Sequence, residues 1–91
     1  MSIKIRFSTP LQRLTQGKSE IDAEGSNVRE LIGNLECLFP AMKDRVHDEK
    51  GNLRRFINIY VNNEDIRFLR LGETVLKDGD EVSIISAITG G

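Results

Sequence analysis

Asp78-Gly79-Asp80-Glu81-Val82-Ser83-Ile84-Ile85-Ser86-Ala87-Ile88-Thr89-Gly90-Gly91 decides how the rest of the chain is read. Asp-Gly-Asp is a turn signal, since glycine takes the left-handed backbone region freely and aspartate tolerates it. After it, Val82, Ile84 and Ser86 alternate with Ser83, Ile85 and Ala87, the period-two pattern of a strand. The strand runs directly into Ile88, Thr89, Gly90 and Gly91. Two glycines without Cβ atoms make a thin filament, so residues 1–87 are expected to form a body and residues 88–91 a flexible tail. Four extended residues reach roughly 14 Å. A Gly91 carboxylate on such a tail fits a narrow channel in another protein, with no nearby side chain to obstruct attack on it.

Composition bounds the rest. Ninety-one residues make one domain, with 30% charged and 38% apolar side chains, as in a soluble globular protein. The net charge of −1 gives no electrostatic reason to expect nucleic acid or a membrane as partner. Met1-Ser2-Ile3-Lys4 opens a strand-like alternation rather than a signal peptide, which leaves the cytoplasm as the expected compartment. Cys37 is the one cysteine, so an internal disulfide and a Cys-based metal site are excluded.

Outward from the last strand, Ile3, Ile5 and Phe7 form one face of a first strand, and Lys18 to Ala23 reads as a second, with Ile21 and Ala23 inward. Between them Leu11 and Leu14 are expected in a polar loop. Asn27 followed by Glu30 is a capping-box-like helix start. Val28, Leu31, Ile32, Leu35, Leu38 and Phe39 then recur at helical spacing and predict one buried stripe ending at Pro40. Ala41 to Val46 predicts a short helical turn with Met42 and Val46 inward. Phe56 to Val61 is the most β-prone stretch, with Ile57, Ile59 and Val61 on one face. Asn62 to Asp65 is a turn, and Ile66-Arg67-Phe68 is expected as a short strand. The order β-β-α-β-(β)-β predicts an α+β fold in which one main helix crosses a mixed sheet of four to five strands. The first and last strands, chain-distant and both apolar, are expected to pair centrally and in parallel.

This arrangement resembles the ubiquitin-like β-grasp fold. The turn-strand-Gly-Gly ending, with Phe56-Ile57-Asn58-Ile59-Tyr60-Val61-Asn62-Asn63-Glu64-Asp65-Ile66-Arg67-Phe68, is similar over essentially the whole chain to the MoaD/ThiS family of sulfur carriers, and most to its CysO-like branch. The resemblance implies chemistry at Gly91. An E1-like adenylyltransferase/sulfurtransferase uses ATP to form an acyl-adenylate there. A sulfur donor converts it to a thiocarboxylate, which delivers sulfur in biosynthesis, with cysteine synthesis favoured. The acceptor would then be cysteine synthase-like. Two alternatives stay open: the small subunit of a molybdopterin synthase, seated on its large subunit, and a modifier conjugated to lysines. On any of these readings the chain is a carrier without catalytic side chains, metal or bound cofactor, and a monomer when free. The ferredoxin version of the fold fails on cysteine number, since a [2Fe–2S] cluster takes four.

Phe56, Tyr60 and Ile85 have the sheet parity opposite to Ile57, Ile59 and Ile84, and together are expected to form an apolar patch that docks the partner. Cys37, beside Leu35 and Leu38, is expected to be buried. His47, next to Asp48 and Glu49, is expected to be solvated. Arg54, Arg55, Arg67 and Arg70 read as ordinary solvated charge, with docking of an acidic partner surface as the alternative.

Overall fold

Strand β1, Ser2–Phe7, buries Ile3, Ile5 and Phe7 and turns Lys4 and Arg6 outward, as its alternation dictates. Strand β2, Glu20–Glu24, runs antiparallel to it, with Ile21 opposite Ile5 and Ala23 opposite Ile3. Strands β3 (Ile57–Val61), β4 (Glu64–Asp65) and β5 (Glu81–Ser86) complete one sheet in the order β2-β1-β5-β3-β4. The first and last strands do pair at its centre in parallel, Ile5 beside Val82 and Phe7 beside Ile84. On the other side of β5, β3 pairs antiparallel, with Ile59 opposite Ile84 and Val61 opposite Val82. The computed structural model describes residues 2–87; Ile88, Thr89, Gly90 and Gly91, expected as the tail, lie outside the described residues.

Helix α2, Val28–Leu38, crosses the apolar face of the sheet with α3, Ala41–Val46, beside it, while α1, Thr9–Gln12, lies against β5. The Asn27 side chain accepts the Glu30 N–H at 2.7 Å, capping α2. Glu30 reaches back, although to the Ser26 N–H at 2.9 Å rather than to the cap residue's own. A Cβ on Gly25 would lie 2.7 Å from the Leu31 backbone, so only glycine lets this turn press on the helix it precedes. Val28, Leu31, Ile32 and Leu35 are buried against the sheet, joined by Met42 and Val46 of α3.

Two residues of the expected core are not in it. Leu38 is 58% exposed, and Cys37 is exposed. At about 100° per residue, Cys37 points directly away from the axis of the buried stripe. Leu38 falls at the stripe's edge, where the helix ends. There Phe39 leaves helical geometry, with φ −132° and ψ 83°, and folds partly onto the core.

Two connections also differ from expectation. The polar loop after β1 is helical, α1 running into a 3₁₀ turn at Arg13–Thr15, and it buries Leu11 completely. Pro10 lies in the first turn of α1, where its missing N–H costs no hydrogen bond. Ile66–Phe68 is a 3₁₀ turn, not a strand. The Asp65 carboxylate accepts the Arg67 N–H at 2.9 Å, which curls the chain and buries Ile66. A second such turn, Leu71–Glu73, follows, with Leu71 left-handed at φ 51°.

Candidate functional site

The site of interest is the end of β5, where the chain leaves the sheet, together with the solvent face around it. Two hydrogen bonds fix this end from opposite sides. Ser86 N–H donates to Ser8 Oγ at 2.9 Å, and Ala87 N–H donates to the Phe56 carbonyl at 2.7 Å. Ala87, the last described residue, therefore occupies a held position.

The solvent face of the sheet is charged at both flanks, with Tyr60, Ile85, Asn58 and Ser83 between them. On one flank Arg6 lies between Glu81, at 3.0 Å, and Glu20, at 3.7 Å. On the other, Arg67 grips Asp65 through Nε and Nη2, at 2.7 Å for the nearest contact, and reaches Asn58 Oδ1 at 2.6 Å. These bonds from Arg67 hold the Asp65 carboxylate below the usual range. Asn58 stands directly opposite Ile85, and Tyr60 opposite Ser83. The structure thus brings Tyr60 and Ile85 together on this face, with Ile85 38% exposed. Phe56 precedes β3 and packs partly against the core, offering its carbonyl rather than an open ring to the β5 end.

The turn that launches β5 is fastened as well. The Asp80 carboxylate accepts the Lys77 N–H at 2.8 Å and the Asn62 amide at 3.1 Å, in that order the causes of its lowered pKa. Gly79, at φ 89°, supplies the left-handed residue expected of this turn.

Sequence reasoning missed three features. Nothing local marks the Ser8 hydroxyl, whose partner lies 78 residues away. Phe68, at the end of the 3₁₀ turn expected as a strand, is 83% exposed, and Leu71 and Val75 beyond it are exposed as well. His47 is not solvated: its Nδ1 lies 2.6 Å from Glu36 Oε2, with both side chains largely buried. The pairing of His47 with Leu53 turns the histidine back toward α2, and the two residues line a cleft of about 460 Å³ with Ile32, Gly33 and Leu71. Among the described residues no group of three or more His, Cys, Asp or Glu is placed to hold a metal ion.

A helix laid across a mixed sheet with its first and last strands parallel at the centre defines a ubiquitin-like β-grasp protein. Residues 5–91 match the model of the ThiS family. The sulfur carrier protein CysO of Mycobacterium tuberculosis is 37% identical over 93 residues, covering all of both chains. Among solved structures, the Amycolatopsis orientalis BexX/CysO complex superposes with a TM-score of 0.87 at 38% identity, over 98% of this chain and 99% of that one. Small archaeal modifier protein 1 of Methanosarcina acetivorans superposes with a TM-score of 0.85 at 32% identity, over 99% and 96%. The chain belongs to the ThiS family, in its CysO-like branch, and is a small carrier protein rather than an enzyme. No helix of the described residues is long and apolar enough to cross a membrane.

Proposed function

We propose that this protein is a cytoplasmic sulfur carrier acting through the carboxyl carbon of Gly91. A carboxylate is a poor electrophile. Transfer of AMP from ATP, with release of pyrophosphate, makes it a mixed anhydride. Attack by a sulfide equivalent on the acyl carbon then expels AMP and leaves a thiocarboxylate. Both steps need the reacting atoms at about 3–3.5 Å in good alignment inside a closed site. A tail ending in two glycines suits such a site. The catalytic groups and the ATP belong to an E1-like adenylyltransferase/sulfurtransferase, and cysteine synthesis is the favoured destination, with a cysteine synthase-like acceptor. Tyr60 and Ile85, with Phe56 behind them, are the surface offered to the activating partner.

The observation that carries this reading is full-length likeness to the CysO carriers. Its test is intact-mass analysis of protein from its native cell. The expected gain is the exchange of one oxygen for one sulfur, absent when Gly90 and Gly91 are deleted. Deletion should leave thermal unfolding unchanged and abolish ATP-dependent activation; activation of the shortened chain would refute the assignment. Likeness to the archaeal modifier supports a second reading, conjugation of Gly91 to lysines. High-mass conjugates on a denaturing gel, without the sulfur-shifted mass, would select it.

A further inference from the structure

Ser8 occupies the N-cap position of α1, where a serine hydroxyl ordinarily accepts an N–H from the helix's first turn. It makes no such cap bond. Its backbone N–H donates to the Ile84 carbonyl at 3.1 Å, the last main-chain link between the segment following β1 and β5. Beyond that point the β1 chain has turned into α1 and has no carbonyl to offer β5. The Ser8 hydroxyl stands in for it and accepts the Ser86 N–H at 2.9 Å. The parallel ladder is thereby extended one step by a side chain, on the flank opposite the bond from Ala87 N–H to the Phe56 carbonyl at 2.7 Å.

We infer that Ser8 is a positioning residue for activation: it fixes the direction in which the chain leaves β5 when the body is docked on an adenylating enzyme. This rests on the sulfur-carrier reading. With the Ser86 peptide held on one side and the Ala87 peptide on the other, the segment leading to Gly91 starts from a defined point. Without the Ser8 hydroxyl the Ser86 N–H loses the acceptor that extends the ladder on the β1 side. The docking face, Tyr60 and Ile85, is untouched. Displacement of a reacting group by about 1 Å is enough to slow a reaction up to a hundredfold, so the loss falls on the chemical step and not on binding.

The test is ATP–pyrophosphate exchange by the adenylating enzyme of the same cell, with full-length Ser8→Ala as substrate. The expected result is kcat lowered roughly tenfold with KM for the carrier within about twofold of wild type. Ser8→Thr, which keeps the hydroxyl, restores kcat. Hydrogen exchange should show the Ser86 amide less protected in Ser8→Ala, with core amides of β1 and β3 unchanged. Should Ser8→Ala fail to fold, Ser8→Cys, nearly isosteric and a weak acceptor, is measured in its place with the same expectation. Wild-type kinetics in a folded variant, or a raised KM with kcat intact, would overturn the inference. A wild-type chain that supports no exchange at all would instead count against the sulfur-carrier reading.

Discussion

Leu35 and Leu38 lie three positions apart on one helix and have opposite fates. Leu35 is fully buried and Leu38 is 58% exposed. Leu35→Ala should lower unfolding free energy by roughly 2–5 kcal/mol, the range for opening a cavity in a packed core. Leu38→Ala should change it by no more than about 0.5 kcal/mol. Urea denaturation of the two variants checks both, and equal losses would mean the end of the helix is seated differently. The reason Leu38 and Cys37 were misread is angular. A heptad-like count of apolar residues does not say where a helix overhangs the sheet. His47 was misread because its carboxylate partner, Glu36, comes from a different element. At this scale Asp80 gives a pH prediction. Its carboxyl is held below the ordinary range by the Lys77 N–H and the Asn62 amide. A group whose folded pKa is depressed contributes its stability above the unfolded pKa and loses it as pH falls through the folded one. Asp80→Asn should therefore be less stable than wild type at neutral pH, and the gap should close on acidification. A gap independent of pH would show that the carboxylate's charge is not what holds the turn.

Elements with a strong period were legible from the sequence; those set by side-chain hydrogen bonds were not. Strands β1, β3 and β5 and helix α2 follow directly from alternation, stripe and cap. The two 3₁₀ turns between Ile66 and Glu73 did not, since Ile66-Arg67-Phe68 has a strand's alternation and becomes a turn only through the Asp65 carboxylate. A turn after β3 was visible, but over Asn62 to Asp65; the turn is Asn62-Asn63 alone, both left-handed at φ 49° and 72°, and Glu64–Asp65 already pair with β3 as β4. A β-carbon residue without asparagine's local bonding pays about 1–2 kcal/mol there. Asn63→Ala should cost about that much, and Asn63→Gly should be neutral or slightly stabilising. Asn62→Ala should cost more, because Asn62 also accepts the Glu81 N–H at 3.0 Å and donates to Asp80 at 3.1 Å. Thermal melts of the three variants would expose a wrong turn assignment if their order were reversed.

For the whole molecule, the central parallel pair and the helix across the sheet were readable because two apolar strands lie at opposite ends of the chain. That Tyr60 and Ile85 share the open face of the sheet was readable by parity. The packing of Phe56 onto the core was not, since it lies just outside the strand whose alternation was counted. Ile85→Asp places a charge on the open face of β5. The fold should survive, and activation at limiting carrier should fall at least tenfold, equivalent to about 1.4 kcal/mol of transition-state binding. A folded variant activated at the wild-type rate would move the docking surface elsewhere.

The sheet order has a consequence for how the protein is made. Strand β5 is the shared neighbour of two hairpins, β1–β2 and β3–β4, which do not touch each other in the sheet. On a ribosome both hairpins emerge first and neither has its inner edge covered. Long-range pairing of this kind is slow to form, because loop closure precedes the contacts that reward it. Until the final strand clears the exit tunnel, α2 has half a floor to lie on. A chain arrested before β5 is therefore two unjoined hairpins with open edges, fit for chaperones or proteases and useless to a partner that must grip a finished body.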